Sequence, residues 1–112
     1  MKALIASVLL IISFSSHSQE DGNDLLTGYK EYKSIMNKDD GEIYEAAKYV
    51  GFVNGATQRL IVSEFLCIPG SVRKAQIYDI IGKFLEGNPA SRNWAGSTLI
   101  YMALIKPFEC EE

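Results

Sequence analysis

The sequence predicts an all-α fold, a compact bundle of about four helices with a disulfide closing the last helical hairpin. Three observations carry that reading. Apolar residues recur at steps of three and four along most of the chain, which is the spacing of a buried helix face. Turn and cap signals interrupt the pattern at Asn37-Lys38-Asp39-Asp40-Gly41, Pro69-Gly70-Ser71 and Gly87-Asn88-Pro89. The only two cysteines, Cys67 and Cys110, bracket the last two helical segments. No stretch alternates apolar and polar residues as a half-buried strand would, and there are no repeats or low-complexity tracts.

The first residues read as a leader. Lys2 precedes an apolar run from Ala3 to Ile12, and Ser16-His17-Ser18 fits a small-x-small cleavage rule. The run is too short to cross a bilayer, which takes about 20 residues. Residues 1–18 are therefore expected to be a cleaved secretory signal, cut before Gln19, with 19–112 as a single domain. No cysteine near that point could take a lipid, so no membrane attachment is expected after cleavage.

Export changes the chemical inventory. The only histidine, His17, leaves with the leader, which removes Ser-His and Cys-His nucleophilic pairs and histidine-ligated zinc. Fourteen acidic side chains then face ten basic ones, a balance that argues against nucleic acid and anionic membrane as partners. Two cysteines in an exported chain read as a disulfide. A reactive thiol would need a basic neighbour to lower its pKa, and neither cysteine clearly has one. The bridge closes a loop of 43 residue steps, for which the chain-entropy model gives roughly 4 kcal/mol.

In chain order, Asp24 is expected to cap a first helix with Leu25, Leu26, Tyr29, Tyr32 and Met36 on one stripe. Residues 37–41 form a turn. The second helix is expected from Glu42 to Phe65, burying Ile43, Ala46, Ala47, Val50, Val53, Thr57, Leu60, Ile61 and Phe65. Gly51 and Gly55 within it predict close approach by a neighbouring helix, since glycine costs about 1 kcal/mol in a helix interior. Pro69-Gly70 ends that helix and Ser71 caps the third, whose apolar face is Val72, Ala75, Gln76, Ile80, Phe84 and Leu85. Gln76 is expected to bond the backbone of the Cys67–Pro69 turn. Gly87 ends the third helix, Asn88 caps the fourth, and Pro89 takes its first position. The fourth helix is expected to turn Trp94, Thr98, Leu99, Met102 and Ile105 inward and to stop at Pro107.

No constellation speaks for catalysis. Asp39-Asp40-Gly41-Glu42 lacks the alternating oxygen ligands and distal glutamate of a calcium loop. Ser71, Ser91 and Ser97 have no histidine partner. The expected product is a non-enzymatic binding domain without metal or cofactor.

The ordered set Cys67-Ile68-Pro69, Val72, Gln76, Phe84-Leu85, Asn88-Pro89, Arg92, Ala103-Leu104, Phe108 and Cys110 resembles the Rap/Tai family of bacterial periplasmic immunity proteins. Gly51-Phe52-Val53-Asn54-Gly55 is similar to that family's glycine-aromatic-aliphatic-x-glycine segment. The resemblance covers roughly residues 24–110. It departs at Tyr49, where family members often carry a further cysteine, so a second disulfide is absent here. The resemblance implies an antitoxin that binds a peptidoglycan amidase effector of a type VI secretion system, often as a homodimer, and plugs its substrate groove. A periplasmic interaction module with a non-hydrolase partner is the alternative. On the antitoxin reading, the tip of the last hairpin, with Glu86, Asn88, Ser91, Arg92 and Asn93, is the expected contact surface. Asn88 is also explained by capping, and Arg92 by a pair with Glu86 or a helix carbonyl.

Overall fold

A computed structural model describes residues 20–111, and the expected leader and its cleavage point lie outside them. Four α-helices follow in order: α1 (Gly22–Met36), α2 (Ile43–Val62), α3 (Lys74–Gly87) and α4 (Gly96–Phe108), with a short 3-10 turn, Pro89–Ser91, between the last two. No strand occurs among the described residues beyond one isolated bridge, Asp21 with Ala95. The α1 helix packs chiefly on α2 and also on α3, while α4 closes the bundle against α3 and α2. Cys67 and Cys110 are bonded, with their Cα atoms 4.9 Å apart. The Cys67 amide also donates to the Phe108 carbonyl at 2.9 Å, so the open end of the α3–α4 hairpin is tied as expected.

The α1 helix starts one residue after Asp21, not at Asp24. Asp21 Oδ1 accepts from the Asp24 amide at 2.9 Å, and Asp24 Oδ2 accepts from the Asp21 amide at 3.1 Å, a reciprocal capping box. The earlier start has a tertiary cause. The amides of Gly22 and Asn23 donate to the carbonyls of Trp94 (3.2 Å) and Arg92 (3.0 Å). The first three amides of α1, which a helix leaves without internal partners, are thus all satisfied. Leu25, Leu26, Tyr29 and Tyr32 are buried as expected, whereas Met36, on the last turn, is 56 % exposed. The turn after α1 is the expected one, with Lys38 at a φ of 66°.

The α2 helix carries the largest correction. Its buried residues are Ala46, Tyr49, Val53, Ala56 and Thr57, whereas Ile43 is 70 % exposed, Ala47 and Ile61 face outward, and Val50 and Leu60 are half-buried. The helix is apolar around much of its circumference, so periodicity alone left its phase open. It also ends at Val62, before the expected Phe65. Glu64 takes a left-handed φ of 66°, and the amides of Phe65 and Leu66 both turn back to the Leu60 carbonyl. That turn swings Phe65 out and drives Leu66 into the core.

The glycine expectation is overturned as well. A Cβ built on Gly51 or Gly55 would meet nothing within 4 Å among the described residues, so no described helix approaches there. Close approach occurs instead at Gly28, where a Cβ would lie 2.7 Å from Tyr49 Cβ, and at Gly82, where it would run into the Tyr29 ring.

The α3 helix begins at Lys74 with Arg73 before it, so Ser71 is not its cap. Gln76 is exposed, and its Oε1 accepts from the Arg73 amide at 2.8 Å instead of bonding the Cys67–Pro69 turn. The buried residues of α3 are Ile77, Tyr78, Ile81, Gly82 and Leu85; of the expected face only Leu85 is fully buried, and Val72, Ile80 and Phe84 pack partly against the core. Pro89 opens the 3-10 turn, and α4 starts only at Gly96, whose amide donates to the Glu20 carbonyl at 2.8 Å. Gly96, Leu99, Ile100, Ala103 and Leu104 face inward. Trp94 is 47 % exposed, Thr98 and Met102 are exposed, and Pro107 sits inside the last turn.

Four tyrosines fill the middle of the bundle. The rings of Tyr29, Tyr32, Tyr49 and Tyr78 pack against one another with centroids between 5.3 and 6.4 Å apart, within the range for favourable aromatic pairs. Their hydroxyls find partners where burial requires it. Tyr49 donates to the Tyr78 carbonyl, Tyr78 to Asn54 Oδ1, and Tyr29 to Asp79 Oδ1.

Candidate partner-binding surface

The end of α3, the 3-10 turn and the short segment leading into α4 carry Glu86, Asn88, Ser91, Arg92 and Asn93 at one end of the bundle. Their side chains divide into two groups. Arg92 is half-buried and donates from Nε to the Leu85 carbonyl at 2.8 Å and from Nη2 to the Glu86 carbonyl at 3.1 Å. It therefore caps the last turn of α3, where a cation also meets the negative end of the helix dipole. Asn88 Nδ2 donates to the Phe84 carbonyl at 2.8 Å, and Ser91 Oγ reaches the Asn88 carbonyl at 3.4 Å. Of the two alternatives for Arg92, the helix carbonyl is the one formed. Glu86 and Asn93 are exposed, and no described residue hydrogen-bonds their side chains.

The tip is held from below and from the side. Beyond the Arg92 and Asn88 contacts, the carbonyls of Arg92 and Trp94 serve as acceptors for α1. Such backbone pairing leaves no signature in side-chain chemistry, so the sequence reading missed it. The indole of Trp94 stands out at the same end. Tryptophan is among the side chains enriched in residues that dominate binding energy; the sequence shows that Trp94 is present but not that it is exposed, since its spacing placed it on the inward face.

A second surface lies along α2 and α4. Ala56, Leu60, Phe65 and Tyr101 form the apolar floor of a groove of about 510 Å³, with Arg59, Ser97 and Thr98 also lining it. Phe65 meets the Tyr101 ring edge-on at 6.2 Å between centroids. A smaller pocket of about 170 Å³ lies on the other side of α2, and Thr57 in its wall has a buried hydroxyl without a partner among the described residues.

Electrostatics in the core is that of a sealed aromatic cluster. Burial pushes the Tyr29 phenol up to about 12, helped by the Asp79 charge beside it. Burial also raises Tyr32 and, more strongly, Tyr49. Asp79 Oδ1 accepts from Lys33 Nζ at 3.2 Å as well as from Tyr29. Lys48 lies 3.8 Å from Glu20 and 3.9 Å from Glu45. Both cysteines are bonded, and among the described residues no group of three or more potential ligands could hold a metal ion. No described helix is long and apolar enough to cross a membrane. What the two surfaces offer is shape, an exposed aromatic residue and unspent polar groups, the means of a binding protein.

Comparison with known proteins agrees with this chemistry. Neither a curated protein nor a solved structure matches the chain. A family model does, over residues 21–110, and it describes Rap1a immunity proteins. That span runs from the aspartate that caps α1 to the second cysteine of the disulfide. The chain belongs to the family of Rap1a immunity proteins.

Proposed function

We propose that the protein neutralises a peptidoglycan amidase effector of a type VI secretion system, in the periplasm, by seating the α3–α4 tip in the effector's active-site groove. It acts as a binder and needs no catalytic residue. The observation that carries this reading is the pre-ordering of the tip. Arg92 and Asn88 spend their side chains on α3 carbonyls, while Glu86 and Asn93 remain exposed and unspent. A convex element fixed in advance loses little conformational entropy when it enters a concave site. The disulfide and the apolar run at residues 3–12 fit an exported chain. The flat, uncovered face of α2 at Gly51 and Gly55 suits the pairing of two copies.

The test is capture from the periplasmic and secreted fractions of the host. Recovery of a small amidase, with its lysis of peptidoglycan lost in the complex, is the expected result. A partner without hydrolase activity would replace this reading with that of a general interaction module.

A further inference from the structure

The groove between α2 and α4 has a polarity of its own. At about 510 Å³ it falls within the roughly 300–1,000 Å³ of ligand-sized clefts. Its floor is apolar, and its polar rim is positive in character. Arg59 is exposed and forms no ion pair among the described residues. Beside it, the first turn of α4 carries no acidic residue, and Ala95 supplies no side-chain cap. The amides of Ser97 and Thr98 find no acceptor among the described residues, so the positive end of the α4 dipole is uncompensated there. Their two hydroxyls add donors at the same rim. In a chain of net charge −3, this is a local reversal of sign.

The groove also lies close to the tip in the chain. Ser97 and Thr98, in the first turn of α4, line it, and they come a few residues after Asn93 and Trp94.

We propose that this groove is a docking site for an extended segment of a partner protein that lays a large apolar side chain on Leu60 and Tyr101 and sets a carboxylate against Arg59 and the first turn of α4. Assigning that segment to the effector rests on the immunity reading; the chemistry of the groove does not.

The test is a nuclear magnetic resonance titration of protein purified after expression of the full sequence. The probes are acetyl-Phe-Asp-amide and acetyl-Phe-Asn-amide, which differ only in the charge. The Asp probe is expected to shift the amides of Arg59, Ser97, Thr98 and Tyr101 and to bind about fivefold more tightly than the Asn probe. Arg59→Gln, an exposed change that leaves the core untouched, is expected to erase that difference. Equal affinity of the two probes, or shifts elsewhere, would overturn the proposal. So would concentration-dependent shifts of the groove amides without probe, which would seat a second copy there, or tighter binding of laurate, which would make it a lipid site. No effector is present in this titration, so a failed antitoxin test leaves its result intact. Conversely, an Arg59→Gln protein that captures the amidase with unchanged affinity overturns the assignment to the effector alone.

Discussion

The Tyr49 hydroxyl donates to the Tyr78 carbonyl at 2.6 Å, a buried bond that ties α2 to α3 across the centre of the bundle. Tyr49 is 1 % exposed and its ring touches those of Tyr29, Tyr32 and Tyr78. Where the resemblance led us to expect a second disulfide to be missing, an aromatic hub takes its place. Tyr49→Phe should lower stability by about 1 kcal/mol through the lost hydrogen bond. Tyr49→Ala should cost about 3–5 kcal/mol by opening a cavity. Urea unfolding checks both, as a lower midpoint at an unchanged slope for the phenylalanine variant.

Glycines in two helices should respond in opposite ways. Gly82→Ala places a methyl in the Tyr29 ring, which is itself packed and 3 % exposed and cannot swing away. We expect a loss of about 1–3 kcal/mol from overpacking. Gly51→Ala meets open space and should raise stability by up to about 1 kcal/mol through helix propensity. Thermal midpoints of the two variants distinguish them at once.

Replacing Cys67 and Cys110 together by serine should lower stability by up to roughly 4 kcal/mol, since the bridge closes a long loop of the unfolded chain. Adding a reductant should reproduce the loss in the native protein and change nothing in the double variant. Equal melting of the two proteins under oxidising conditions would contradict it.

The tyrosine cluster sets an alkaline limit. Burial, with Asp79 beside it, moves the Tyr29 phenol up to about 12, while an unfolded tyrosine releases its proton near 10. Between these values the folded chain holds a proton that the unfolded chain has lost. Stability is therefore full below about pH 10 and declines as pH rises toward about 12. Thermal melts across this range, with phenolate absorbance followed in parallel, should show Tyr49 ionising only on unfolding, because burial raises it further still.

At the tip, structure and binding should separate. Arg92→Ala removes two bonds to α3 carbonyls and should cost about 1–2 kcal/mol. Replacing Glu86, Ser91 and Asn93 together by alanine should leave the thermal midpoint nearly unchanged and weaken capture of the amidase. Unchanged affinity in the triple variant would move the contact away from the tip.

The all-α class, the turn at residues 37–41 and the bridge were legible because each is local or rests on an unambiguous residue count. The stripe of α1 was legible too, since Leu25, Tyr29 and Tyr32 stand among polar neighbours. The phase of α2 was not, because Ile43, Tyr44, Ile61 and Val62 make its solvent side as apolar as its core side. The glycines were misassigned for a related reason. A glycine is needed where another helix brings something bulky, and only the fold reveals that Tyr29 meets Gly82 and that nothing meets Gly51. The start of α4 was placed too early because Asn88-Pro89 suits the entry of a 3-10 turn as well as that of an α-helix. The true start is set by Gly96 bonding Glu20, a residue far away in sequence. The five tip residues fall between the last turn of α3 and the start of α4, and which of them are spent on the backbone could be read only from the hydrogen bonds.

The pairing of the Gly96 amide with the Glu20 carbonyl, reinforced by the approach of Lys48 to the Glu20 carboxylate, has a practical consequence for anyone handling the protein. Whatever is joined ahead of Glu20 begins at the same pole of the molecule as the tip. An affinity tag or reporter fused there would crowd the surface proposed here for the partner. The opposite pole, beyond Cys110, is where such a label can be carried without competing.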